Sequence, residues 1–153
     1  MGQLPALGAP APDFTLPSTS GSEVTLSKLR GKTVLLAFFP LAFTRTCTSE
    51  LCAFTEDYAQ FTEAGVEVLP ISVDSVPTLK EFKAKERIVV DLLSDFKREV
   101  SRKYGVLLED RFHSDRAYFL VDGEGILRWA FVEETLGSRR ENREIFEQLR
   151  ALA

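Results

Sequence analysis

The sequence predicts an α/β fold, a central mixed β-sheet covered by helices, and three observations carry that prediction. Lys32 to Phe39 (KTVLLAFF) is an almost continuous apolar run, as in a strand buried on both faces. Strand-like runs and segments of helical periodicity then alternate along the chain. Near the C-terminus, two further apolar runs flank DGEG, a turn sequence suited to an antiparallel hairpin.

The elements follow in order. The stretch through Pro12 is rich in Pro, Gly and Ala and reads as an irregular, packed arm. Asp13 to Leu16 and Glu23 to Leu26 form short edge strands around Ser20 and Gly21, a hairpin before the main sheet. Lys32 to Phe39 is the central strand, ended by Pro40. After the loop LAFTRT, one helix is expected over residues 47–61, with Leu51, Phe54, Tyr58 and Phe61 as its apolar stripe. Gly65 closes it. VEVLPISVD is the next strand, and Pro70 within it argues for an edge or a bulge, because proline cannot complete an interior ladder. Val76 to Glu86 is helical, with Leu79 and Phe82 on one face; Ile88 to Leu93 is a strand; Phe96 to Tyr104 is a helix ended by Gly105. Ala117 to Val121 and Ile126 to Val132 form the hairpin. A last helix from about Ser138 buries Ile145, Phe146, Leu149 and Leu152.

Composition narrows the function. A chain of 153 residues, 44% hydrophobic, suits a single domain spanning 1–153. Its formal charge of -4 is far from the basic balance of a general nucleic-acid binder. No apolar run approaches the roughly 20 residues needed to cross a bilayer, and the N-terminus lacks the features of a secretory signal, so a cytoplasmic location is expected. There is no phosphate-cradling glycine motif. The sole His113 and the separated cysteines make no zinc motif, and neither a metal nor a cofactor is expected. His113 reads as a surface or structural residue, and Trp129 and Phe131 as packing.

Two cysteines, Cys47 and Cys52, are too few for a disulfide scaffold. Cys47 stands where a loop becomes a helix, facing unpaired amides and the positive end of the peptide dipoles, which favour a thiolate. Thr44, three residues earlier, lies close enough for its hydroxyl to contact a substrate oxygen near the sulfur, and Pro40 can stiffen and shield the loop. Each has a plainer reading: a buried thiol, a loop or cap residue, a strand terminator.

The segment FFPLAFTRTCTSELCAF carries Pro40, Thr44 and Cys47 in the PxxxTxxC arrangement of peroxiredoxins, and Arg116 in SDRAYFLVDGEG resembles the later arginine of that family. The resemblance runs from APDFTL through the final helix. It is closest to the alkyl hydroperoxide reductase E group, with a second cysteine like that of the bacterioferritin comigratory protein, or peroxiredoxin Q, group. It implies a thioredoxin-like fold with an N-terminal hairpin extension and Cys47 as the peroxidatic cysteine. Arg116 would hold thiolate and peroxide, Thr44 would orient an oxygen, and Pro40 would limit water access. Glu50 either orients the arginine or is an ordinary carboxylate at a helix start. Arg139 and Arg140 resemble the place of a further active-site arginine; the alternative is exposed residues at a helix start.

The resemblance also implies hydrogen peroxide and organic hydroperoxides as substrates, thioredoxin, glutaredoxin or a similar thiol as reductant, and a homodimer formed near the active-site edges. Cys52 resembles a helix-borne resolving cysteine. In an ideal helix five residues rise about 7.5 Å and turn about 140°, leaving the Cα atoms about 8.6 Å apart, beyond the about 7 Å reach of a relaxed disulfide. Resolution by Cys52 therefore requires the first helical turn to unwind. Otherwise Cys52 simply packs, and an external thiol reduces Cys47 directly. A noncatalytic thioredoxin-like interaction module is the competing class. Thiol-disulfide exchange would call for a CxxC pair, which is absent.

Overall fold

A computed structural model describes residues 2–152. After an irregular arm come β1 (Thr15–Pro17), β2 (Glu23–Thr25), a 3-10 turn (Leu26–Leu29) and β3 (Thr33–Phe38). Then follow α1 (Arg45–Glu56), α2 (Tyr58–Glu63), β4 (Val66–Ser72), α3 (Val76–Glu86), β5 (Leu93–Ser94) and α4 (Glu99–Lys103). The chain closes with β6 (Leu107–Leu108), β7 (His113–Ser114), β8 (Ala117–Val121), β9 (Leu127–Val132) and α5 (Asn142–Leu152).

The main sheet runs β5-β4-β3-β8-β9. β3 pairs parallel with β4 and antiparallel with β8, and β8 pairs antiparallel with β9. The sheet is mixed, with β3 at its centre, as the apolar run of that strand requires. Leu35, Ala37 and Phe39 pack on one face among Cys47, Leu51, Phe54, Leu79, Phe82, Tyr118 and Ile145. Val34, Leu36 and Phe38 pack on the other among Phe14, Leu16, Val100, Tyr104 and Phe119. Helices α1, α2, α3 and α5 thus cover one side, while α4 and the N-terminal segment cover the other. Each fully buried Leu or Phe is worth about 1.5–3 kcal/mol, so a strand buried on both faces anchors both layers. This is the thioredoxin-like architecture, with β1 and β2 as a separate hairpin.

Two glycines fix the outer path. Gly105 adopts φ +72°, and a Cβ there would sit 2.2 Å from the Gln3 carbonyl oxygen, so only glycine lets the arm cross α4's exit. Gly125 has φ +85° in the β8–β9 turn. There Asp122 Oδ1 accepts from the amides of Glu124 and Ile126, at 2.9 Å each.

Several elements depart from the sequence expectation. The helix expected over 47–61 starts at Arg45 and breaks at Asp57, whose φ and ψ are -101° and 14°. Asn142 enters that break, donating from Nδ2 to Ala53 O at 2.9 Å and to Asp57 Oδ2 at 2.8 Å. The break resets the helical phase, and Tyr58, placed in the apolar stripe, is exposed instead. Pro70 marks neither an edge strand nor a bulge, since β4 lies between β3 and β5. The Ile71 carbonyl accepts from Phe39 N at 2.9 Å, so by alternation Pro70's nitrogen faces the other side, where pairing with β5 begins only at Ile71.

The strand expected over Ile88 to Leu93 shrinks to Leu93–Ser94; Ile88, Val90 and Leu92 are still buried without forming a ladder. The helix expected from Phe96 starts at Glu99. Its start is set by Asp95, whose carboxylate accepts from the amides of Val100 and Ser101, and Phe96 is left exposed. The last helix starts at Asn142 rather than near Ser138, and Leu152 at its end is exposed rather than buried. The small pair β6–β7 carried no periodic signal in its two-residue strands. No helix among the described residues is long and apolar enough to cross a membrane.

Candidate active site

The site forms where β3 gives way to α1. Phe39 and Pro40 are buried at the strand's end, and the following loop is tied to β4. Ala42 N donates to Asp74 Oδ2 at 2.8 Å, and Ser72 Oγ donates to the same oxygen at 2.7 Å. Phe43 takes φ +65°, an unusual conformation for a bulky residue. Its ring is held 5.1 Å from that of Phe82. Thr44 is the N-cap residue of α1, but its side chain does not cap the helix. The hydroxyl donates instead to Leu41 O at 2.8 Å, leaving its lone pairs directed elsewhere.

Cys47 is the third residue of α1, within the turn whose amides lack intrahelical partners. Its side chain is 0% exposed. Arg116, immediately before β8, reaches it from the sheet: Nη2 donates to Cys47 Sγ at 3.1 Å and to Leu136 O at 3.2 Å, and Nη1 donates to Glu50 Oε1 at 2.9 Å. An arginine 1% exposed and a glutamate 2% exposed form a buried ion pair, with the sulfur as the guanidinium's second side-chain partner. Glu50 is therefore no solvated helix-start carboxylate. One turn beyond Cys47 on α1, it shares the face that meets the sheet.

Electrostatics follow from burial and pairing. Burial drives the Glu50 carboxyl above the ordinary carboxylate range, against the pull of Arg116 and of Tyr118's hydrogen bond. Burial opposes the charge on Arg116, yet Glu50 and Cys47 together raise its value. Among the described residues, Arg116 Nε is the buried side-chain polar atom left without a hydrogen-bond partner. A guanidinium so placed can hold a thiolate and still offer an N–H to an oxygen brought beside the sulfur.

The arginines anticipated as support do not touch Cys47. Arg140 Nε donates to Glu133 Oε2 at 2.9 Å and Nη1 to Glu144 Oε1 at 3.4 Å, with the guanidinium carbon 4.3 Å from the Phe131 ring centre. Arg139 is half-buried and donates from Nη1 to Arg140 O at 3.4 Å; its charge favours the ionised form of Glu50. Both lie before α5 rather than at a helix start. His113 pairs through Nδ1 with the Ser114 carbonyl at 2.8 Å, outside the site. Trp129 and Phe131 pack against the core cluster on the Cys47 side of the sheet.

Cys52 shares α1 with Cys47; it is partly buried, and both thiols are free. Burial pushes the Cys52 thiol up, and the nearby charges of Glu86 and Glu56 push it further. Two contributors escaped the sequence reading. Asp74 gives no local signal, since its partner Ala42 is 32 residues away. Tyr118 donates to Glu50 Oε2 and accepts from Arg140 N at 2.9 Å. Its spacing, two residues after Arg116 on a strand and so on the same face, was the signal that could have found it. A groove of about 260 Å³ beside β4, lined in part by Phe61, Val68 and Leu93, includes none of these groups.

The AhpC/TSA family model matches residues 7–130. A Coxiella burnetii protein named provisionally as peroxiredoxin bcp is 41% identical over 127 residues, spanning 79% of this chain and 84% of its own. Among solved structures, the reduced 2-Cys peroxiredoxin of Plasmodium vivax matches with a TM-score of 0.89 and 36% identity, covering 95% of this chain and 81% of that one. AhpC of Enterococcus faecalis also gives 0.89, at 26% identity, covering 95% and 91%. With the family matched over most of the chain and a close relative aligned across most of both sequences, the assignment follows: this protein belongs to the peroxiredoxin family and is a peroxidase.

Proposed function

We propose that Cys47 is the residue oxidised by hydrogen peroxide and organic hydroperoxides. Its thiolate attacks one peroxide oxygen in line with the O–O bond. An S–O bond forms as the O–O bond breaks, the sulfur becomes a sulfenic acid, and the departing oxygen takes a proton to leave as water or alcohol. The observation that carries this reading is the 3.1 Å contact from Arg116 Nη2 to Cys47 Sγ inside a buried ion pair. Negative charge on the sulfur is matched there by a guanidinium that Glu50 keeps in place. Arg116 Nε and the Thr44 hydroxyl, whose proton goes to Leu41 O, are the donor and acceptor for the bound peroxide. Pro40 shields the sulfur from water. Because Cys47 is fully buried, the peroxide enters only when the rim loosens, as at Thr46, whose hydroxyl meets Gly137 O at a long 3.4 Å.

Cys52 then attacks the Cys47 sulfenic acid, expelling water and forming a disulfide that thioredoxin, glutaredoxin or a similar thiol protein reduces. The first turns of α1 must unwind for the two sulfurs to meet. The intact helix and the raised Cys52 thiol favour a second reading, in which an external thiol reduces Cys47 directly. A reducing compartment such as the cytoplasm suits either cycle. The exposed Leu41 and Phe43 beside the site support a second copy of the chain as partner.

One experiment separates these readings: peroxide oxidation of wild type, Cys52→Ser and Cys47→Ser, with mass identification of the products. Wild type should yield the Cys47–Cys52 bond, Cys52→Ser should stop at sulfenic or higher acids of Cys47, and Cys47→Ser should fall to background turnover. Absence of the bond during turnover would establish direct reduction by an external thiol. Full turnover by Cys47→Ser would overturn the whole assignment.

A further inference from the structure

We propose that Tyr118 is a positioning residue for the Cys47 chemistry: its hydroxyl fixes the Glu50 carboxylate that holds Arg116 against the sulfur. The inference rests on the Cys47 reading above and adds a group that touches neither sulfur nor peroxide. Three geometric facts carry it. Glu50 is buried, so both carboxylate oxygens need partners; Arg116 takes Oε1 and Tyr118 takes Oε2. The backbone N–H of Arg140 donates to Tyr118 Oη at 2.9 Å, and since an N–H can only donate, the phenol's single proton is left to point at Glu50. Arg116 and Tyr118 lie two residues apart along one strand direction, so one face of the sheet presents both to α1.

The consequence concerns the protonation of Glu50. The groups facing it are Cys47 on α1, Arg116 ahead of β8, Tyr118 on β8 and the charge of Arg139 on the loop before α5. Tyr118 in turn faces Glu50, the Arg140 amide and the charge of Glu133. Burial favours the neutral acid at Glu50, and Arg116 with Tyr118 supplies the direct hydrogen bonds that oppose it. Once protonated, Glu50 attracts Arg116 less, and the guanidinium loses the partner that orients it toward Sγ. Removing the Tyr118 hydroxyl therefore raises the pH at which Glu50 takes its proton, and the acid side of the activity profile moves to higher pH.

The test is Tyr118→Phe, alone and combined with Glu50→Gln, read by peroxide turnover and by iodoacetamide alkylation of Cys47 across pH. Turnover limited by the ionised fraction of Glu50 falls tenfold for each pH unit below its midpoint, so Tyr118→Phe should lose up to about tenfold on the acid limb for each unit its midpoint rises and little or nothing on the alkaline plateau. In the Glu50→Gln background, which has no proton to gain, the pH-dependent part of that loss should vanish. Should Tyr118→Phe fail to fold, 3-fluorotyrosine at position 118 alone, a stronger donor of similar shape, should move the acid limb down instead of up. A loss equal at every pH, no loss, or the same pH-dependent loss in the Glu50→Gln background would overturn the inference. Alkylation separates the two claims. If wild type alkylates with the expected Tyr118 dependence but reduces no peroxide, the peroxidase reading fails and the positioning role stands.

Discussion

Arg116 is shared between two side-chain partners, the Glu50 carboxylate and the Cys47 sulfur, and that sharing carries the proposed chemistry at the residue scale. A guanidinium buried beside Glu50 alone would be a structural ion pair of small net value; with Cys47 Sγ at 3.1 Å it is the electrostatic setting that the proposed nucleophile requires. The same burial governs the tyrosines. Burial raises Tyr104, which donates to Pro12 O at 2.6 Å, with the Asp13 charge adding to the effect. Burial and then the Glu50 charge raise Tyr118. Both folded-state values lie above the unfolded value of about 10, so the native state keeps protons that the unfolded chain releases first. Their contribution to stability is fully present below about pH 10 and is lost as pH rises above it. Urea unfolding near pH 9 and near pH 11 should show the stability falling, and absorbance at the phenolate band should show these two tyrosines silent until the chain unfolds. Ionisation of either one while the protein remains folded would contradict their burial.

Among elements, α1 has the most to do and the least regular course. Its start places Cys47 in the first turn and Glu50 one turn later, which the 3.6-residue repeat makes legible from sequence. Its end does not follow from that repeat, because Asn142, 89 residues from Ala53, sets the break. Asn142 is a buried amide with two acceptors at good distance, and its loss leaves Ala53 O and Asp57 with one partner fewer each. Asn142→Ala should cost about 1–3 kcal/mol in urea unfolding and speed hydrogen exchange around the α1–α2 junction. An unchanged unfolding midpoint would show that the break is intrinsic to Asp57. Pro70 teaches a related lesson. A missing amide hydrogen is compatible with an interior strand when the neighbour on that side begins one residue later.

At the scale of the molecule, two apolar clusters sandwich one sheet, and the exposed phenylalanines Phe43, Phe96 and Phe112 stand outside them. Phe96 and Phe112 are 60% and 67% exposed. Arg98 links them, stacking on the Phe96 ring at 5.5 Å and donating from Nε to Phe112 O at 2.9 Å. Ser114, two residues on, reaches Phe39 O, beside the loop that exposes Leu41 and Phe43. Exposed apolar side chains linked in this way suit self-association more than free solvent. Light scattering over a concentration series should find a dimer, and Phe112→Asn should shift it toward monomer. Because Phe112 sits at φ +61°, which asparagine tolerates well, the variant should keep its melting temperature. A monomer at all concentrations would sink the dimer.

By itself the sequence determined the layers and singled out Cys47 as the proposed nucleophile. Continuous apolarity in β3, alternation of element types and the DGEG turn are local signals. So is the spacing of Pro40, Thr44 and Cys47, which rides on one loop and one helical turn. The later Arg116 was legible only because its surroundings matched a family. Tertiary structure decided what depends on distant partners: the burial of Glu50, the Tyr118 hydrogen bond that completes its coordination, the Asp74 tie to the loop and the Asn142 break. The physical reason is the same in each case. A polar group's partner far along the chain is chosen by sheet register and helix packing, and no periodicity within its own segment encodes that choice.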